Sequence, residues 1–308
     1  MTFTTILQQY PLILTECAIS ERLRRRPDIE LHPLLFNTPL IYEPNGRSRL
    51  EEIYNSYRQV ARQADLPILL CAPTWRIDKD RIGEAGAPLS INQDAVAFMK
   101  RFKSGNTSAD SPISVGALLA PRNDCYAPEA ALSRRQSADF HGWQIDQLLE
   151  ADAEVIIAQT MPAVSESLGM ADRLGTSGKP YIISFVINRF CTVLDGTPLA
   201  DAIDRIDQSA ISPPAGYIVN CVYPTFLKVK DQVPDLFNRR VGIQANASSK
   251  DHDQLNESQQ LQQDPLPDWT KNMRQLHTEY GIKILGGCCG TDHHYLQNLV
   301  DSLQRYSS

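Results

Sequence analysis

The sequence predicts an α/β protein folded as one closed (β/α)8 barrel of the TIM type, a single domain over residues 1–308. Three observations predict it. Eight short apolar runs alternate with longer stretches of helical period. Most of the runs are nearly continuous in apolar residues, as parallel strands covered on both faces must be. No Gly-x-Gly-x-x-Gly follows the first run, which weakens the alternative of an open, dinucleotide-binding sheet. The length also suits a barrel, which takes about 250 residues plus insertions.

The predicted strands are "PLILTE" (11–16), "LPILLCA" (66–72), "ISVGALLA" (113–120), "EVIIAQ" (154–159), "PYIISFVI" (180–187), "GYIVNC" (216–221), "RVGIQA" (240–245) and "IKILGG" (282–287). Helical period marks 48–63, 133–151, 164–178, 198–209 and 267–281 between them. Ser48 and Ser133 stand where a helix cap is expected, and Gly281 where a helix should end. Residues 246–268 are polar and Gln-rich, so they read as a long loop after the seventh strand, on the side where such barrels carry catalysis. "RIGEAGAPLS" (81–90) reads as a second irregular loop on that side.

A formal charge of −6 argues against a nucleic-acid binder, and the short basic cluster Arg22, Arg24, Arg25 and Arg26 reads as a solvated helix face. No apolar run approaches the roughly 20 residues of a membrane helix, and the N-terminal segment lacks the features of a signal peptide. Seven scattered cysteines suit reduced thiols in the cytoplasm better than a disulfide framework. The expected partners are small molecules, with neither nucleic acid nor membrane; the sequence sets no oligomeric state.

The chemistry concentrates in "KILGGCCGTDHH" (283–294). Neighbouring residues on a strand point to opposite faces, so one core does not easily take both Cys288 and Cys289. If 282–287 is the eighth strand, both open onto the top of the barrel, where Cys221 also stands after the sixth. Three thiolates there would leave the fourth position of tetrahedral zinc open, as in a catalytic site. Glycines at 286, 287 and 290 would free the backbone for sharp conformations. The competing reading is that these are buried, inert cysteines.

"GGCCGT" (286–291) with "NC" (220–221) resembles the homocysteine S-methyltransferase family, which includes betaine– and S-methylmethionine–homocysteine methyltransferases and the first domain of cobalamin-dependent methionine synthase. "SF" (184–185), "DGTPLADAI" (195–203) and "QTMP" (159–162) are similar to further family segments; the likeness is good over roughly residues 110–300 and poor before them. The resemblance implies Zn²⁺ held by Cys221, Cys288 and Cys289, and a zinc-held homocysteine thiolate that takes a methyl group from a small activated donor. No corrinoid module is apparent, so the donor is expected to arrive as a small molecule or on another protein. A cationic donor would suit aromatic walls, for which Trp75 and Tyr126 are candidates.

The sequence also departs from the family. "LTECAISERL" (14–23) lacks the Asp-Gly after the first strand, "CAPTW" (71–75) replaces Thr-Asn-Thr, and Gln159 replaces a glutamate that would pair with the substrate's amino group. An amide accepts a hydrogen bond but brings no charge. Glu16 is a candidate to replace the lost acid, and Asn246 lies where the family has a Pro-Asn-Ser-Gly loop. Gln159, Glu16, Asn246 and Trp75 are therefore the expected substrate-binding residues. His141, His293 and His294 read as structural or polar-turn histidines, and Cys17, Cys71, Cys125 and Cys191 as non-ligands. Two alternatives share the same cysteines: a zinc barrel with altered chemistry, such as a demethylase or hydrolase, and a zinc-stabilised binding protein without catalysis.

Overall fold

The computed structural model describes residues 1–232, 235–239, 241–251, 254 and 261–307. Its strands are β1 (Ile13–Thr15), β2 (Ile68–Ala72), β3 (Ile113–Leu119), β4 (Val155–Met161), β5 (Tyr181–Phe185), β6 (Gly216–Val222), β7 (Val241–Ala245) and β8 (Ile284–Gly287). Every neighbouring pair is parallel, and β8 pairs with β1 through Ile13↔Ile284 and Leu14↔Leu285, which closes the barrel. The helices are α1 (Phe3–Gln9), α2 (Ser20–Arg24), α3 (Pro44–Gln63), α4 (Lys79–Ala85), α5 (Ile91–Asn106), α6 (Arg134–Glu150), α7 (Val164–Leu174), α8 (Leu199–Ser209), α9 (Asp235–Asn238), α10 (Leu266–Thr278) and α11 (His293–Ser307). All eight predicted strands are present.

The period of two along each strand sorts its side chains into two layers. Ile13, Leu69, Val155, Ile157, Ile182, Ile218 and Ile284 fill the barrel, while Leu14, Leu70, Val115, Ile156, Ile183, Val219, Ile243 and Leu285 pack outward under the helices. Helix α1, absent from the sequence reading, adds Phe3, Ile6 and Leu7 to the inner cluster. Each such burial contributes roughly 1.5–3 kcal/mol. That holds a helix of 7 residues, too short to persist alone. Among the described residues no helix is long and apolar enough to cross a membrane.

Several local expectations are corrected. Helix α3 begins at Pro44 rather than at Ser48, because proline at the first helical position has the right φ and no N–H to lose. Ser133 does cap α6, in a reciprocal capping box with Gln136. Half of the supposed irregular stretch 81–90 is helix α4, started by the Asp78 side chain on Arg81 N–H and ended by Gly86 in the left-handed region at φ 62°. Helix α5, also unread in the sequence, follows it. In the expected loop 246–268, Asn246, Ala247 and Ser248 are buried and α10 begins at Leu266; residues 252–253 and 255–260 lie outside the described residues.

Candidate metal centre

The centre is built where β6 and β8 end. In β6 the register shifts between Asn220 and Val222, a bulge, and Cys221 holds φ 55°. The bulge suspends strict alternation, so consecutive residues Asn220 and Cys221 both serve the barrel mouth. Strand β4 carries a matching irregularity between Ala158 and Met161, with Thr160 at φ 65°. Buried Asn220 ties the two bulges: its Oδ1 accepts from Thr160 N–H at 3.1 Å and Ser184 Oγ at 2.6 Å, and its Nδ2 donates to Thr160 Oγ1 at 3.0 Å and to Cys221 Sγ at 3.2 Å. The sequence reading used Asn220 only as part of the "NC" signature and missed this role.

Cys288 and Cys289 occupy the turn after β8. The Sγ atoms of Cys221 and Cys288 are 3.2 Å apart, those of Cys288 and Cys289 are 3.9 Å apart, and all three lie within 4.8 Å of one another. The turn is held almost entirely by the protein. Cys288 N–H donates to Ala245 O at 2.8 Å, Ala247 N–H donates to Cys289 O at 2.9 Å, and Thr291 Oγ1 donates to Cys288 O at 2.7 Å. Asn246 accepts from Cys289 N–H at 3.1 Å through Oδ1, and its own carbonyl is held by Trp269 Nε1 at 3.0 Å. Gly290 N–H is taken by the Glu21 carboxylate.

The glycines work differently from expectation. Only Gly290 is left-handed, at φ 79°. Gly286 and Gly287 are needed for close approach: a Cβ on Gly286 would sit 1.9 Å from Thr15 Oγ1, and one on Gly287 would sit 2.1 Å from Thr291 Oγ1. The first glycine thus admits a polar residue of β1 into the barrel top, and the second admits the threonine that pins Cys288.

Crowding dominates the electrostatics of the trio. Its hydrogen bond to Cys221 and its burial push the Cys288 thiol well above the usual cysteine range, and the thiols of Cys221 and Cys289 are also held up. Three thiols that obstruct one another's ionisation are favoured as thiolates only beside a cation. Soft sulfur donors converging at this spacing, with Cys289 exposed, fit Zn²⁺. A second convergence, Asp292, His293 and His294, opens α11, where Asp292 Oδ1 caps His294 N–H at 2.9 Å.

The other expected site residues take distinct places. Gln159 donates through Nε2 to Gln244 Oε1 at 3.1 Å, and Gln244 Nε2 donates to Thr15 Oγ1 at 3.2 Å; Gln159 Oε1 is buried without a partner. Glu16 turns away from this belt, accepting from Cys71 N–H at 2.7 Å where β1 has ended; burial raises its carboxyl to about 8. Asn246 touches the cysteine turn directly. The Trp75 ring meets Phe36 edge-on at 5.4 Å, and the cation over its face, at 5.6 Å, is the chain's own Arg76. The thiols act on Tyr126: charge on Cys221 is the largest influence raising its phenol, with burial and Cys289 next. Both ends of the loop that carries Tyr126 donate to one buried carboxylate: Glu166 accepts Arg122 N–H at 2.8 Å and Leu132 N–H at 3.2 Å. His141 Nε2 lies 2.9 Å from Glu166 Oε1, while its Nδ1 has no partner, so this histidine is satisfied on one side only.

The family model described as homocysteine S-methyltransferase matches residues 4–303. Homocysteine S-methyltransferase YbgG of Bacillus subtilis (strain 168) is 22% identical over 315 residues, covering 96% of this chain and 95% of the relative. Among solved structures, the metallated form of the homocysteine methyltransferase MmuM from Escherichia coli superposes with TM-score 0.73 at 17% identity, over 97% of this chain and 98% of that one. Its apo form gives 0.63 at 17% identity, over 95% and 96%. At such identities the structures speak for the shared barrel.

Proposed function

The chain belongs to the homocysteine S-methyltransferase family, and on that premise we propose that it moves a methyl group from a small activated donor to the zinc-activated thiol of homocysteine or a related acceptor. The observation that carries the proposal is the convergence of Cys221, Cys288 and Cys289 within 4.8 Å at the catalytic end of a closed barrel. Bound there, Zn²⁺ would supply ionisation, turning an incoming thiol with a usual pKa of about 8.5 into a nucleophilic thiolate at neutral pH.

The chain's own residues do the rest. Asn246, Thr291 and the backbone of Ala245 and Ala247 hold the two adjacent thiols in place. Asn220 does the same for Cys221. The neutral belt of Thr15, Gln244 and Gln159 forms part of the barrel top, and its unpartnered Gln159 Oε1 suits a donor group on the acceptor. Tyr126 offers an aromatic wall for a cationic donor. In the transfer a bond forms between the acceptor sulfur and the methyl carbon as the donor's own bond to that carbon breaks; the thiol proton goes to solvent and the donor leaves without its positive charge. We place this chemistry in the cytoplasm, where thiols remain reduced.

The test is conversion of L-homocysteine deuterated along its carbon chain to methionine, with unlabelled S-methyl-L-methionine or glycine betaine as the donor, followed by mass spectrometry. Labelled methionine from the zinc-loaded protein, and none from folded Cys288→Ser, is the expected result. Labelled product of equal yield from Cys288→Ser would contradict the assignment.

A further inference from the structure

Arg76 lies in the loop between β2 and α4, at the catalytic end of the barrel, and its hydrogen bonding is incomplete. Its Nε and the Trp75 Nε1 are both buried without a partner. Its guanidinium lies 5.6 Å from the Trp75 ring and 5.8 Å from that of Phe36, so its plane is held while its N–H edge makes no ion pair among the described residues. The carboxylates that act on it are committed elsewhere: Asp78 to Arg81 and to the cap of α4, Asp124 to Tyr126 N–H. Leaving a buried donor unmade is unfavourable, and doing so on a permanently charged group is more so.

The loop is not loose. Thr74, fully buried, donates to Leu118 O at 2.9 Å and accepts Leu118 N–H at 2.7 Å. Gln144 donates to Thr74 O at 2.8 Å, and Asn92 to Ile77 O at 2.9 Å. Arg76 and its neighbour Phe36 both hold left-handed backbone, at φ 64° and 50°, strain that non-glycine residues keep only where the surroundings impose it. A pinned, strained loop thus holds a planar cation whose buried Nε has no partner among the described residues.

We propose that Arg76, with Trp75 Nε1 beside it, is a carboxylate-binding subsite of the catalytic mouth, receiving the carboxylate of one of the two small molecules that react there. A guanidinium edge matches a carboxylate in two parallel hydrogen bonds, and the unpartnered indole N–H of the adjoining residue is a further donor in the same loop. The inference rests on the methyl-transfer reading for the identity of those molecules. The carboxylate belongs either to the thiol acceptor or to the donor.

Calorimetric titration of the zinc-loaded full chain separates the two. The ligands are L-homocysteine, 3-mercaptopropylamine (the same thiol and amine without the carboxylate) and S-methyl-L-methionine, each against wild type and Arg76→Gln. If the acceptor's carboxylate is bound, wild type prefers homocysteine to 3-mercaptopropylamine by roughly tenfold or more. Arg76→Gln then erases that preference and leaves 3-mercaptopropylamine unchanged, a selectivity that a general loss of structure cannot imitate. If the donor's carboxylate is bound, the variant loses S-methyl-L-methionine instead. Equal weakening of all three ligands, or of none, overturns the subsite. Should no thiol bind wild type, the methyl-transfer reading fails, and succinate and S-methyl-L-methionine decide the subsite: binding lost in Arg76→Gln upholds it, while no difference overturns it. Arg76→Lys keeps the charge without the planar fork and is expected to show an intermediate preference; it carries the test if Arg76→Gln does not fold.

Discussion

The β6–β8 side of the barrel mouth and its β1–β2 side are finished to different degrees. Around Cys288 and Cys289 the amides and carbonyls are matched within the protein: Ala245, Asn246, Ala247, Thr291 and Glu21 each hold one. Around Trp75 and Arg76 the loop backbone is equally well held, but the side-chain donors are left unmade. A site whose ligands are held in advance by the protein's own hydrogen bonds spends little binding energy on ordering them when the ion arrives. A site for an organic ligand keeps donors in reserve for it. The contrast is the one expected if the proposed metal centre is complete without substrate and the proposed carboxylate subsite is complete only with it.

The largest effect that sharpens this contrast is on protons. All three thiols are pushed up when no cation neutralises them, so at neutral pH they are protonated and must ionise to bind zinc. Uptake of the metal should therefore release about three protons, and affinity should fall by up to roughly a thousandfold for each unit of acidification near neutrality. Calorimetry in buffers of different ionisation enthalpy counts those protons; release of fewer than about two would mean that the trio is already ionised in the free protein.

Asn246→Ala comes next. It removes the acceptor for Cys289 N–H without touching a thiol, and zinc affinity, read by competition with a chelating dye, should drop about ten- to a hundredfold. An unchanged affinity would show that the turn is held adequately without it. The smallest effect is on stability. Gly286→Ala drives a Cβ into Thr15 Oγ1 and should cost about 1–3 kcal/mol in urea unfolding, with part recovered in the double variant that also carries Thr15→Ala. No recovery would place the conflict elsewhere, since Glu16 O also lies 2.9 Å from that Cβ.

The eight strands were legible because parallel strands buried on both faces keep an apolar residue at nearly every position, and the thiol trio was legible from "GGCCGT" with "NC". The bulges that make the trio usable were not. A bulge is a mismatch between two partners' registers, and neither Cys221 nor Thr160 is of a residue type that signals left-handed backbone. Helix α4 was legible in principle, from Asp78 at its start and Gly86 at its end, and was obscured by the proline and glycines around it. Arg76 left no signal at all: an arginine is unpartnered only once every carboxylate near it has been assigned to something else.

Zinc-edge X-ray absorption on the metal-loaded protein, with and without L-homocysteine, tests the central claim most directly. Three sulfurs and one light atom becoming four sulfurs on addition of the thiol is the predicted result. Three sulfurs with an unchanged light atom would contradict homocysteine as the acceptor, and a protein that takes up no zinc would contradict the metal centre itself.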